Sequence, residues 1–400
     1  MQKKPQSRLL LVSGTGDSPK LAESIYRELR DSYQMRDSVQ ILTPRRPDKV
    51  DVNIIKNRTY PLVVGMFQDS ETRVDVGRNE LLDEIRGKHI AIIKYMYTPK
   101  RFPHMHVNDH MQEVKALLDV IKHTDTLKRT LVAPYLPYLR SHSNEKYEKR
   151  GFYQYDSLTD MVESFSRKGL DGIICIDPHS DKIVEKGREY SINVNIIDPF
   201  QSSSHINPYK LGLNSTAEKV LLQLQPFLEH FIRKKEELKD KKFVFISLDG
   251  GTERRTEQFL INGGLGWDDI MYMVKLRDSL GKPIFSIKGF SKINESSLDK
   301  NSVYILPDDI IDSGGSAEGV ARLLKSKGVK QVELWCTHAV VPDRKKIEDL
   351  TQLDKILTLD TILHENPEEI HIEYLNASSH LLAAEIFKAH MRLEEERSTV

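Results

Sequence analysis

Apolar positions along this chain gather into short blocks: Leu9–Val12, Pro61–Met66, His89–Ile93, Ile173–Ile176, Val194–Ile197, Phe243–Leu248, Met271–Leu276, Val303–Leu306 and Val332–Val341. Each is short enough for a buried strand. Between them the spacing lengthens to that of a helix: Ala22, Ile25 and Leu29 follow Ser18 and Pro19, and Val320, Leu323 and Leu324 are closed by Gly328. Ser18 is the expected N-cap, with Pro19 in the first turn. A loop carrying His104, His106, Asn108, Asp109 and His110 precedes an amphipathic helix from Gln112 onward, and Leu381, Leu382, Ala384 and Ile386 mark a closing helix over Ser379–His390. Thr72–Val76 alternates, so it and Pro61–Met66 predict a hairpin with a polar tip. The stretch from Arg277 to Asn301 reads as a polar run with Gly281, Pro283 and Gly289.

Composition narrows the class. The chain has 400 residues, 39% apolar and 30% charged, enough for two domains with cores of their own. Lys plus Arg equals Asp plus Glu at 59 each, so no global field draws in nucleic acid and any anion site must be built locally. Cys175 and Cys336, the only cysteines, lie in apolar strand-like runs, which suits a reducing compartment. No signal-peptide pattern precedes Leu9 and no apolar run reaches membrane length, so a cytoplasmic protein without a membrane partner is expected. The Ser/Asn-rich stretch Ser202–Asn214 and the helical segment ending in RKKEELKDKK read as a surface elaboration, since charges of mixed sign four apart suit a solvated face; a protein contact is the alternative. His104 and His106 lack a third ligand at fixed spacing and are expected in a solvated loop.

The densest chemistry lies in Val303–Ser316, VYILPDDIIDSGGS. An apolar strand delivers Asp308 and Asp309, then Asp312 and the small run Ser313-Gly314-Gly315-Ser316, just before a helix. Glycines let backbone N–H groups approach a ligand, and a helix N-terminus carries unpaired donors and partial positive charge, so the run is a phosphate cradle. Carboxylates accept hydrogen bonds from sugar hydroxyls, so acids plus cradle suit a sugar phosphate. No Gly-Lys-Ser/Thr follows, which excludes a Walker A loop, and acids stand where a dinucleotide fingerprint needs glycines.

DDIIDSGGS resembles the ribose-phosphate motif of phosphoribosyltransferases, and most closely that of the ribose-phosphate pyrophosphokinase family. Other segments carry the same resemblance: Phe67-Gln68-Asp69-Ser70-Glu71, the Leu131–Arg140 segment LVAPYLPYLR, Asp177-Pro178-His179, Asp249-Gly250-Gly251 and Lys275-Leu276-Arg277. Ser70 stands where the family has glycine, and Ser141 to Asn144 replace its strongly polar residues after the arginine. The resemblance implies two tandem phosphoribosyltransferase-like α/β domains, each a mostly parallel sheet flanked by helices, over 1–198 and 199–376, with a helix over 377–400 packing back on the first. It further implies ATP contacts from Phe67, Asp69, Glu71 and Arg140. Ribose phosphate falls to Asp308, Asp309, Asp312, Ser313, Gly314, Gly315 and Ser316, and magnesium to His179 and Asp249. Lys275 and Arg277 are the implied catalytic cations, and the assembly a homo-oligomer built from dimers, up to a hexamer.

The activity so implied is transfer of the diphosphoryl group of ATP to the anomeric hydroxyl of ribose 5-phosphate. Two alternatives stand beside it: the same transfer to a larger acceptor such as ADP-ribose, and a non-catalytic subunit that regulates a synthetase.

Overall fold

The computed structural model describes residues 8–43, 62–66, 71–76, 85–99, 105–140, 148–149, 151–200, 224–248, 250–266, 269–277, 283–288, 293, 298–341, 348–365 and 371–399. The chain divides into two compact units, Met1–Ile197 with Ser378–Val400, and Asp198–Ala377.

The first unit carries β1 (Arg8–Ser13), β2 (Val39–Leu42), the pair β3 (Leu62–Met66) and β4 (Thr72–Val76), then β5 (Lys88–Ile93), β6 (Lys128–Ala133), β7 (Gly172–Ile176) and β8 (Asn193–Ile197). Its main sheet has six strands in the order β2-β1-β5-β6-β7-β8, all parallel. Every residue of β5 and β7 is buried, the mark of a parallel sheet covered on both faces. β3 and β4 form the expected antiparallel pair; its tip at 67–70 lies outside the described residues. The helix Ser18–Asp31 buries Leu21, Ala22, Ile25 and Leu29 on one stripe. Ser18 is not its cap. Asp17 takes that position, while the Ser18 hydroxyl donates to Thr15 O at 2.8 Å and accepts from Tyr95 N at 3.1 Å, tying the turn to β5's exit.

The second helix also starts earlier than the pattern suggests, at Val107, because Asp109 Oδ2 accepts the His106 N–H at 2.6 Å and closes its first turn. His110 is therefore buried inside a helix rather than solvated in a loop. His104 lies outside the described residues. The C-terminal helix, Ser378–Thr399, packs on Ser18–Asp31, with the Tyr33 and Phe387 rings 4.8 Å apart and His380 Nδ1 3.2 Å from Glu28 Oε2. It also brings His390 to His89, both buried, with their Nδ1 atoms 3.4 Å apart and His89 Nε2 2.8 Å from Thr130 Oγ1.

The second unit runs from helix Pro226–Glu237 through β9 (Phe243–Ser247), helix Glu253–Asn262, β10 (Ile270–Arg277), β11 (Pro283–Ile287), β12 (Val303–Ile311), helix Gly315–Ser326, β13 (Gln331–Ala339), β14 (Lys355–Leu359) and β15 (Ile372–Leu375). The strand order is β11-β10-β9-β12-β13-β14-β15, parallel except for β10 against β11.

Two sequence expectations change here. The polar run after Arg277 contains β11, in which half-buried Phe285 and Ile287 alternate with exposed Ile284 and Ser286 against β10. Helix Pro226–Glu237 is more than a solvated elaboration. It buries Phe227, Leu228 and Phe231 in an aromatic cluster with Phe200, Phe243, Phe245, Phe259 and Trp335. Lys234 reaches down to the buried Glu333 at 2.8 Å, and Glu333 also accepts from Trp335 Nε1 at 3.0 Å. The charged letters mask an apolar stripe of one ring per turn. Residues 201–223 lie outside the described residues.

Candidate active site

In an open parallel sheet, the two strands from which the chain winds in opposite directions leave a crevice at their carboxyl ends. In the second unit those strands are β9 and β12. Val303 to Leu306 are fully buried, yet β9 pairs only with Val303–Ile305. β12 runs on to Ile311 because β13 continues beside it, Asp308 opposite Cys336 and Ile311 opposite Ala339. The acid pair thus lies on the strand rather than after it, on the stretch that has outrun β9. Pro307, lacking an N–H, fits where β9 no longer asks for one.

Asp308 is held far above the usual carboxylate range, first by burial and then by the charge of Asp309. Arg255, in the first turn of helix Glu253–Asn262, places Nη1 3.9 Å from Asp309 Oδ1 and lies 5.5 Å from the centre of the Phe200 ring. A cation near a helix N-terminus opposes the helix dipole. Its carboxylate partner compensates. The result is an acid pair in which the proton is held first by Asp308, with the guanidinium beside Asp309. One donor and one acceptor side by side match two neighbouring sugar hydroxyls. The same burial, with Asp308 nearby, pushes the Cys336 thiol up and keeps it inert.

The cradle follows. Gly314 has φ +67°, and a Cβ there would stand 2.4 Å from Leu350 Cδ1, so only glycine makes this turn. A Cβ at Gly315 would meet nothing closer than Ser313 Oγ at 3.8 Å. Gly314 therefore shapes the loop, whereas Gly315 borders open space over the helix N-terminus, where the first N–H groups lack intrahelical acceptors. The strand end is pinned from the other side: Val340 N and Val341 N both donate to Ile311 O, at 2.9 and 3.3 Å, and Val341 holds φ +34°, a strained value for a β-branched residue. Lys275, exposed on β10, donates from Nζ to Ser316 Oγ at 2.7 Å.

The first unit winds in opposite directions from β1 and β5. Its crevice is filled from within. Lys94 Nζ and Glu113 Oε2 form a fully buried pair at 2.7 Å, and Glu113 also accepts from Thr15 N at 2.7 Å and Thr15 Oγ1 at 2.5 Å. Gly14 permits this, since a Cβ there would lie 2.4 Å from Lys94 Cδ. The turn after β1 thus closes on the chain's own carboxylate, while the turn after β12 stays open.

Residues 9–164 match the model of the N-terminal domain of ribose phosphate pyrophosphokinase. The ribose-phosphate pyrophosphokinase of Ralstonia nicotianae is 25% identical over 334 residues, 82% of this chain and 86% of that protein. Its counterpart from Aquifex aeolicus is 24% identical over 308 residues, 76% of this chain and 80% of that one. The crystal structure of phosphoribosylpyrophosphate synthetase from Mycobacterium smegmatis shares the fold, with a TM-score of 0.65 at 19% identity over 96% of this chain and 100% of that chain. The chain resembles the ribose-phosphate pyrophosphokinase family, in its N-terminal domain by the family model and over most of its length at low identity.

The structure places the residues expected from that resemblance in two groups. The second unit gathers Asp308, Asp309, Asp312, Ser313, Gly314, Gly315 and Ser316 at one strand end, with Lys275 in contact; Arg277 ends β10. Asp249 lies outside the described residues. In the first unit, Arg140 follows β6 and His179 follows β7, adjacent parallel strands, so both emerge at the same end of that sheet, and both are exposed. Asp177, just before His179, is buried with φ +39° and donates its N–H to Ile197 O at 2.8 Å. Exposed Glu71 precedes β4; Phe67 and Asp69 lie outside the described residues, as do Ser141 to Asn144. Arg255 was missed as a site residue. Its signal in the sequence is an arginine pair in a first helical turn, two residues beyond Asp-Gly-Gly.

Proposed function

We propose that this chain transfers the β,γ-diphosphoryl group of ATP to the anomeric hydroxyl of ribose 5-phosphate, giving phosphoribosyl pyrophosphate and AMP. The observation that carries the proposal is the contact of Lys275 with Ser316, a flexible cation brought onto an open phosphate cradle that follows an acid pair. Asp308 and Asp309 hold the ribose hydroxyls as donor and acceptor, and the loop Asp312 to Ser316 takes the 5-phosphate on its hydroxyls and backbone N–H groups. Attack on the β-phosphorus requires positioning and cations around developing charge rather than a covalent intermediate. Lys275 and Arg277 supply those cations. Arg140, with Phe67, Asp69 and Glu71, forms the nucleotide side, and the loop from Phe67 to Glu71 is expected to serve a neighbouring copy in a homo-oligomer.

Mg2+ is the implied metal. Among the described residues no three His, Cys, Asp or Glu side chains form a closed cage, and Mg2+ needs none, since it keeps several waters and takes one or two protein groups together with phosphate oxygens. The resemblance assigns it to the exposed His179 of the first unit and to Asp249 of the second, and bound at either it would neutralise phosphate charge. The deciding experiment is a product assay by mass with ATP, Mg2+ and ribose 5-phosphate, with ADP-ribose in parallel. Phosphoribosyl pyrophosphate and AMP from the purified chain alone are the expected products. No ATP-to-AMP conversion with any acceptor would reject the proposal.

A further inference from the structure

Two contacts join the β10–β11 pair to helix Gly315–Ser326, and their spacings match. Lys275 and Phe285 are Cα partners across the antiparallel register, so their side chains leave the same face. Ser316 and Gly319 are three apart on the helix and share a face too. Lys275 bonds Ser316, and the Phe285 ring seats over Gly319: a Cβ built there would lie 2.4 Å from Phe285 Cε2 and 2.9 Å from Cδ2. The opposite face of the pair carries Leu276 and Ile284, partners of one another and both exposed.

A glycine in mid-helix sacrifices helix propensity. This one has an ordinary helical backbone and neighbours no turn, so the reason for it is the notch. Phe285 is half-buried and packs against the core that also contains Ile311, Ala317 and Val320, so the ring is anchored in the wall of the cradle. The flexible lysine has no such anchor of its own, and its strand partner provides one.

We infer that Phe285 and Gly319 are positioning residues for Lys275: the ring in its notch sets the height of β10–β11 over the first turn of the helix, and with it the reach of Lys275 to an anion in the cradle. This rests on the role proposed above for Lys275. A misplacement of about 1 Å can cost on the order of 10²-fold in rate, so the seat matters although neither residue touches substrate.

The test is a bump and its relief, read in two ways. Gly319→Ala inserts the Cβ, Phe285→Leu deletes the ring atom nearest to it, and the double variant relieves the clash. The first readout, free of turnover, is the acylation rate of Lys275 measured by peptide mass spectrometry without nucleotide; the second is kcat and KM for ribose 5-phosphate. G319A is expected to raise labelling of Lys275 several-fold and lower kcat by about 10²-fold with KM within about twofold. Adding F285L to G319A should recover most of both. Circular dichroism checks folding, and should G319A misfold, F285L alone, which adds no bulk, should loosen Lys275 in the same labelling assay. Wild-type labelling in G319A, or in F285L where that variant stands in, overturns the inference, as does a double variant no better than G319A. If the wild type makes no phosphoribosyl pyrophosphate, the proposed reaction fails while labelling still decides this point.

Discussion

Replacing Arg255 by glutamine removes a positive charge beside Asp309 and leaves both carboxyls in place. At 3.9 Å, two unit charges interact by about 4 kcal/mol at an effective dielectric near 20. The side chains retain 16% and 14% of their exposure, and solvent screening brings this to about 2 kcal/mol. Divided by about 1.4 kcal/mol per pH unit, that is a shift of roughly 1 to 1.5 units. Its sign follows from the direction in which Arg255 acts, which is to lower the proton affinity of the pair. Without it, the pair takes up protons at higher pH, and the carboxylate proposed to accept from the ribose hydroxyl disappears sooner on acidification. The acid limb of kcat/KM for ribose 5-phosphate should therefore move upward by about 1 to 1.5 pH units in R255Q, while the response to ATP concentration stays near wild type. Arg255→Lys should restore part of the shift, because charge rather than the planar fork is what this contact uses. Initial rates of AMP formation at subsaturating sugar phosphate, measured across pH for the three proteins, test the reasoning. An acid limb that stays in place in R255Q, with sugar-phosphate affinity unchanged, refutes it.

Lys275→Ala should lower kcat by about 10²–10³ with the fold intact, and turnover near wild type would remove Lys275 from the chemistry. The two cradle glycines should separate: Gly314→Ala forces a Cβ against Leu350 at φ +67° and should lower the melting temperature by several degrees, on the order of 1–3 kcal/mol, whereas Gly315→Ala should leave stability alone and weaken ribose 5-phosphate binding at least about tenfold by calorimetry. His89 is pushed down to about 3 by burial, then by His390 and Lys128, and His110 to about 3 by burial and Lys94. Both stay neutral in the fold, so their full stability is present above the unfolded value near 6.5 and is lost as pH falls toward 3. Between about pH 6.5 and 5 each contributes a loss of up to about 2 kcal/mol. Urea midpoints at pH 7 and 5 check this, and equal midpoints would contradict it.

Much of this was legible along the chain because it depends on local spacing. Short apolar blocks become strands since a strand covered on both faces needs nothing else. Asp308, Asp309 and the Ser-Gly-Gly-Ser run announce their chemistry because one strand end and one helix start bring them together within a few residues. The tight turn at Gly314 belongs to the same local class. Where reading failed, charge hid burial: the lysine-rich helix Pro226–Glu237 sends Phe227 and Phe231 inward, and His110 lies in a helix because a single Asp109 contact starts it early.

What only the tertiary structure decided are pairings across the sheet. Lys275 meets Ser316 over 41 residues of separation, Arg255 meets Asp309, and Phe285 finds Gly319. Each follows from the strand order β10-β9-β12, which sets neighbours by long-range packing and leaves no period in the sequence. The contrast between the two units has the same origin. Both carry a glycine turn after a strand at the crevice, but Lys94 and Glu113 close the first from elements far along the chain, and only folding leaves the second open to a ligand.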